Sequence, residues 1–227
     1  MINKQYIFND IFPKDIRDDF LFPIETYLLF LEGLSIEPSL FFYKWSDTNT
    51  QSIIDKYWKP NTKLDWKWSL TFPLFSLLEN YIISINNPII IGFSGLPGSG
   101  KSTLGFWIDS VAKELCLDIK VISLDDFYLP GAEMDIAMNG NPWNVPRGFP
   151  GSHSLDLLHQ SLDMFLNTGV LSSPTFDKSL RDGKGDRSGW CELRPKVLIL
   201  EGWFVGCEPV SDLLEMDELV EESYSSL

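Results

Sequence analysis

A glycine-rich turn set between a β-branched run and a helix-patterned stretch constrains this chain more than any other feature. Gly95-Leu96-Pro97-Gly98-Ser99-Gly100-Lys101-Ser102 satisfies G-x-x-x-x-G-K-[ST], the Walker A or P-loop pattern. Ile89-Ile90-Ile91-Gly92-Phe93-Ser94 before it reads as a short buried parallel strand, and the stretch from about Lys101 to Leu115 as a helix. The glycines let backbone N–H groups turn inward around a phosphate, and the helix N-terminus adds partial positive charge. Gly95, Gly98, Ser99, Gly100, Lys101, Ser102 and Thr103 are therefore the candidate nucleotide-binding residues. Lys101 is placed to reach the β- and γ-phosphates of ATP, and the Ser102 hydroxyl to ligate Mg²⁺.

Two further apolar runs end in acids. Ile119–Leu124 predicts a second buried strand, so that strand, helix and strand form a βαβ unit with a parallel sheet. Ligands bind beyond the carboxyl ends of such strands, and Asp125-Asp126 stands at that end. Asp125 is the candidate base for an attacking hydroxyl; Asp126 either helps to hold metal-bound water or only caps. Val197-Leu198-Ile199-Leu200 predicts a third buried strand ending in Glu201, a carboxylate suited to hold Mg²⁺ directly or through water, with Gly202 allowing a close turn. The expected fold class is α/β, a P-loop NTPase-type parallel sheet flanked by helices.

The remaining chain divides at Pro88. Residues 1–87 read as a helical N-terminal region and 88–227 as the P-loop domain. Phe20, Leu21, Ile24, Leu28 and Leu31 recur at helical spacing with Gly33 as a stop, and Phe72, Phe75, Leu78, Ile82 and Ile83 predict another helix. Tyr43, Trp45, Trp58, Trp66 and Trp68 are read as packing residues rather than a ligand box. Residues 130–153 and 172–195 read as long loops. Between them Ser154 is expected to cap a helix with an apolar face of Leu155, Leu158, Leu162 and Phe165, ending at Gly169.

Composition excludes several classes. A formal net charge of −14 argues against a nucleic-acid partner, which wants clustered Lys and Arg. Cys116, Cys191 and Cys207 have no metal-like spacing and fit a reducing, cytoplasmic setting better than a disulfide framework. The N-terminus resembles neither a signal nor a transit peptide. The longest apolar run, PIIIGF, is far short of the ~20 residues that cross a bilayer. No membrane association is expected.

GLPGSGKST, SLDDFYLP, NPWNVPRGFPGSHSLDLL, FDKSLRDGKGDRSGW and LILEGWFVG together resemble the glycerate kinase family of plants, fungi and cyanobacteria, over about residues 88–206. That family is one of the P-loop kinases that include uridine kinase, phosphoribulokinase and bacterial pantothenate kinase. The resemblance implies transfer of the γ-phosphoryl of ATP to D-glycerate, giving 3-phosphoglycerate, with Mg²⁺ as cofactor and a small hydroxy acid as partner. It implies Asp125 as the catalytic aspartate, with Lys101 and Glu201. It implies an acceptor-binding segment containing Arg147 and His153, and a substrate-side run in which Asp177 and Lys178 face the acceptor and phosphates. Arg147 could pair bidentately with a glycerate carboxylate. Arg181, Lys184 and Arg187 are spaced for a mobile basic lid, although Asp182 and Asp186 interrupt it. Family members continue beyond the EGWFVG strand, so the C-terminal part of the fold is expected to be missing here, only Cys207–Leu227 remaining, with an acidic run at 215–222. The alternatives are a truncated, catalytically impaired nucleotide-binding module, or a related P-loop kinase with another hydroxyl acceptor. A GTPase-like switch is disfavoured because the N-K-x-D run is missing from the sequence.

Overall fold

A computed structural model of the chain describes residues 23–58, 65–84 and 86–207. Phe20, Leu21 and the acidic run at 215–222 lie outside the described residues. Three apolar runs form a parallel sheet: β1 (Ile89–Ser94), β2 (Ile119–Ser123) and, last among the described elements, β5 (Val197–Gly202). The order in space is β1-β5-β2. The expected βαβ unit is thus opened by a strand inserted at its centre, and β1 and β2 each pair with β5 instead of with each other. All six residues of β5 are buried, as a near-continuous apolar run in a central parallel strand requires.

Register places the chemistry. Glu201 of β5 lies opposite Phe93 of β1 and Ser123 of β2. The phosphate loop and the Asp125 turn therefore emerge on either side of one glutamate. Gly202 is demanded here, because a Cβ would sit 2.6 Å from Leu124 Cβ. Gly100 enters the loop's helix, α5 (Lys101–Glu114), at φ +91°, a left-handed conformation that glycine adopts without a steric cost.

Alternate residues of β5 serve two cores, following the period-2 geometry of a strand. Val197 and Ile199 join a core with Leu104, Trp107, Ile108 and Val111 of α5. Leu198 and Leu200 join a second core with Phe127, Leu171, and Leu158 and Phe165 of the helix 155–168. The first core continues into the N-terminal helices α1 (Ile24–Gly33), α2 (Pro38–Trp45), α3 (Thr48–Tyr57) and α4 (Phe72–Ser84), the last preceded by a π-helical turn at Trp66–Thr71. Aromatic contacts make the junction: Trp45 stacks on Phe72 at 4.6 Å, and Phe75 and Trp58 each meet Trp107 edge-on. Trp45 and Trp68 are packing residues as expected, but Tyr43 and Trp66 are 80% and 45% exposed. Ile83 is also exposed, because α4 presents Phe72, Phe75 and Leu78 to the core instead.

Both long loops contain secondary structure. Residues 131–137 form a short helix, α6 (Gly131–Ala137), whose first amide donates to Asp186 Oδ1 at 2.8 Å. The stretch 172–195 is mostly an antiparallel hairpin, β3 (Leu171–Asp177) and β4 (Asp186–Leu193), with a register shift at Thr175/Phe176. Its strands are polar because the hairpin stands apart from the parallel sheet with residues of β4 alternately exposed. Ser154 precedes α7 (Leu155–Thr168), but its hydroxyl accepts from Arg187 Nη2 at 2.7 Å and makes no cap bond. Gly169 ends α7 at φ +73°. Among the described residues no helix is long and apolar enough to cross a membrane.

Candidate active site

A cavity of about 390 Å³ opens at the carboxyl ends of β1, β5 and β2, where an open parallel sheet places its ligand site. Gly98, Lys101 and Ser102 of the phosphate loop, Asp125, Arg147, His153, Lys178 and Glu201 all line it. Residues as far apart in sequence as 98 and 201 are thereby brought together.

On the phosphate side, Ser102 Oγ donates to Glu201 Oε1 at 2.9 Å, and Glu201 is 5% exposed. Lys101 Nζ folds back to donate to Leu96 O at 2.8 Å. A hydroxyl and a buried carboxylate side by side, next to a phosphate cradle, fit a hard cation that takes oxygen ligands and keeps substrate phosphates among them. Among the described residues no cluster of three His, Cys, Asp or Glu could hold a metal by itself. Gly95 sits at the loop entrance, where a Cβ would meet Ser99 Oγ and the Lys101 stem at 3.1–3.3 Å. Ser99 and Thr103 do not line this cavity; with Gly100 they wall a second one.

On the opposite side, Asp125 sits in a 3₁₀ turn (Leu124–Phe127) directly after β2. Its Oδ2 accepts from Lys178 Nζ at 2.6 Å, and His153 Nε2 lies 3.8 Å from Oδ1. Burial pushes the Asp125 carboxyl up, but His153, Lys178 and the Tyr128 hydroxyl outweigh it and hold the group well below the ordinary carboxylate range. At 3.8 Å the His153 contact is too long for a full hydrogen bond, so Lys178 is the stronger hold. Asp126 is a cap: its oxygens accept from the Ser123 and Phe176 amides, both at 3.3 Å, tying the β2 end to the hairpin. Burial raises its pKa.

Tyr128, Trp143 and Trp203 also line the cavity, and sequence reasoning passed over them. Tyr128 stacks on His153 with centroids 4.2 Å apart, and the two residues form an isolated antiparallel bridge. Burial, then the neighbouring Asp125, push its phenol pKa up, so it stays a hydrogen-bond donor. A tyrosine three residues beyond Asp125 was the available signal.

The expected lid is anchored. Arg181 pairs with Asp135 of α6, Lys184 Nζ lies 3.8 Å from the same carboxylate, and Arg187 donates to Tyr128 O at 3.1 Å and to Ser154 Oγ. None of the three lines the cavity. Asp177 is likewise turned away, accepting from Ser179 N at 2.8 Å and Ser179 Oγ at 2.6 Å within the hairpin turn. Arg147 lines the cavity while its Nη1 donates to Gly183 O and Lys184 O at 2.7 and 2.9 Å, so it also pins that turn.

No protein-family model matches the chain. It is 39% identical over 152 residues to "Uncharacterized kinase mug58" of Schizosaccharomyces pombe, covering 62% of this chain and 55% of that protein. It is 36% identical over 135 residues to the chloroplastic D-glycerate 3-kinase of Arabidopsis thaliana, covering 54% of this chain and 30% of that protein. The solved structure of a D-glycerate 3-kinase from Cryptococcus neoformans superposes with a TM-score of 0.50 at 28% identity, over 79% of this chain and 59% of that one. The chain spans less than two thirds of the length of each of these relatives. It is similar to glycerate kinases and other P-loop kinases, as the motifs implied, and its fold is the P-loop α/β type.

Proposed function

We propose that this chain is a Mg·ATP-dependent kinase that phosphorylates a hydroxyl of a small hydroxy acid, with D-glycerate as acceptor and 3-phosphoglycerate as product. The observation that carries the reading is one cavity holding the phosphate loop, the Ser102–Glu201 pair and the Asp125–Lys178 pair. Similarity to two D-glycerate 3-kinases supports the acceptor.

Lys101 and the loop amides cradle the β- and γ-phosphates. Ser102 and Glu201 would hold Mg²⁺, which supplies charge neutralisation on the phosphates. Asp125 orients the acceptor hydroxyl and takes its proton as the oxygen bonds to the γ-phosphorus. The bond from that phosphorus to the β–γ bridging oxygen breaks, and ADP leaves. A carboxylate clamped by Lys178 is a weak base, so proton transfer to Asp125 requires that this pair loosen in the complex with acceptor and ATP. Arg147 retains the fork geometry to receive a carboxylate at the cavity wall. The three unpaired cysteines are consistent with a reducing, cytoplasmic setting.

Steady-state phosphorylation of D-glycerate, compared with uridine, pantothenate and ribulose 5-phosphate, tests the acceptor. Turnover of D-glycerate alone is expected. Clear turnover of another acceptor without glycerate would sink the choice, and ATP binding without transfer to any acceptor would favour a nucleotide-binding module.

A further inference from the structure

His153 lines the acceptor side of the cavity, yet its Nε2 is buried and has no hydrogen-bond partner among the described residues. A buried nitrogen is out of reach of a molecule in the cavity. Buried ring nitrogens are normally paired, and the group beside this one is the Asp125 carboxylate, with Oδ1 at 3.8 Å. Closing that gap to an ordinary N–H···O length takes a movement of about 1 Å.

The backbone sets the place of the imidazole. Leu129 N donates to Ser152 O at 2.9 Å and Ser154 N to Phe127 O at 2.8 Å, which makes Tyr128 and His153 a non-hydrogen-bonded antiparallel pair, the kind with the closer side chains. Their rings stack with centroids 4.2 Å apart, so the imidazole is held against the turn that carries Asp125. The other edge of the ring sets its tautomer. Ser152 is fully buried, and its hydroxyl oxygen accepts from Gly148 N at 3.2 Å, so the hydroxyl hydrogen needs an acceptor of its own. His153 Nδ1 lies 3.5 Å from it. A neutral ring that accepts at Nδ1 carries its proton on Nε2, towards Asp125.

We propose that His153 is a positioning residue for Asp125 rather than a contact to the acceptor: its Nε2–H holds Oδ1 of the carboxylate while Oδ2, once released by Lys178, takes the acceptor's proton. The assignment rests on the kinase reading, in which the Asp125–Lys178 pair must loosen before proton transfer. Loss of Lys178 alone would leave a half-exposed carboxylate free to rotate, and His153 is the donor that keeps one oxygen fixed and the other turned to the cavity. The His153 proton stays on Nε2 throughout. The acceptor's proton goes to Oδ2 as its oxygen bonds to the γ-phosphorus, and the bond to the β–γ bridging oxygen breaks.

Steady-state kinetics of the full chain decide it, with Mg·ATP and whichever of D-glycerate, uridine, pantothenate and ribulose 5-phosphate the wild type turns over. His153→Phe keeps a ring on Tyr128 and removes the donor; His153→Gln keeps a donor at nearly the same reach. The first is expected to lower kcat by about 10–10²-fold, the loss of a hydrogen bond to a charged group, with KM for the acceptor within about twofold. The second is expected to recover most of that kcat. A raised acceptor KM with kcat retained in His153→Phe would overturn the proposal in favour of an acceptor contact. Equal loss of kcat in both variants would overturn it in favour of packing, and unchanged kinetics in His153→Phe would overturn it outright. Nitrogen-15 NMR of the wild-type chain at pH 8 gives a reading that needs no variant to fold: a His153 ring with no proton on Nε2 would also overturn it. No transfer by the wild type to any of the four acceptors would remove the kinase reading, and this assignment with it.

Discussion

The two sides of the candidate active site hold their charged groups by different means. On the phosphate side, Ser102 and Glu201 stand at the ends of α5 and β5, and Glu201 is buried within a strand whose residues are all buried. On the acceptor side, Lys178 begins a hairpin turn, its side chain is 54% exposed, and the turn is fastened by Arg181 and Lys184 to Asp135 and by Arg147 to two carbonyls. Packing fixes the first set, and partly exposed ion pairs fix the second. The phosphate side is thus inseparable from folding, whereas the acceptor side can change its chemistry at little cost to stability.

The sharpest way to break this comparison is at the reacting centre. Asp125→Asn is expected to lower kcat by about 10²–10⁴-fold while ATP affinity is retained, as read by stopped assay and calorimetry. Comparable turnover in the variant would show that the acceptor side does no proton chemistry. On the packed side, Trp107→Ala should destabilise the fold by about 3–5 kcal/mol in urea unfolding, because a fully buried ring shared by α5 and the N-terminal helices is lost. On the other side, Lys178→Met removes the cation that depresses the Asp125 pKa, so that pKa rises. The base is then ionised over a narrower range, and the acid limb of the kcat/KM profile moves to higher pH. The smallest effect is expected from Asp135→Asn: no more than about 1 kcal/mol of stability, with faster amide exchange confined to 178–185. Exchange rising equally in β5 would dissolve the distinction between the two sides.

The same contrast explains what was legible in the sequence. β1, β2, β5 and the phosphate loop were readable because buried parallel strands are written as unbroken apolar runs, and because the phosphate loop, Asp125 and Glu201 stand at or close to their carboxyl ends. The hairpin was not readable. Ser172, Ser173, Pro174 and Thr175 carry no run of apolar alternation, although Ser173 and Pro174 are buried, so the burial of β3 is not written in its hydrophobicity. α6 escaped because it has seven residues and starts beside Pro130-Gly131. The basic residues of the hairpin turn looked like a lid because their partners, Asp135, Tyr128 and Ser154, lie 33 to 59 positions away in sequence. Asp186, which seemed only to dilute the basic charge, holds the first amide of α6. Strand order is set by long-range pairing, so the insertion of β5 left no local trace.

That insertion has a consequence for how the chain is made. Among the described residues, neither β1 nor β2 has a partner in this sheet until residues 197–202 arrive, about 100 positions after β1. A ribosome that has released the phosphate loop and Asp125 has therefore released two apolar strands with open edges, the kind of surface that pairs with other chains. Contacts this distant in sequence also slow folding. The central strand of this sheet is thus the last of its three described strands to emerge, and the open edges of β1 and β2 stay exposed until it is in place.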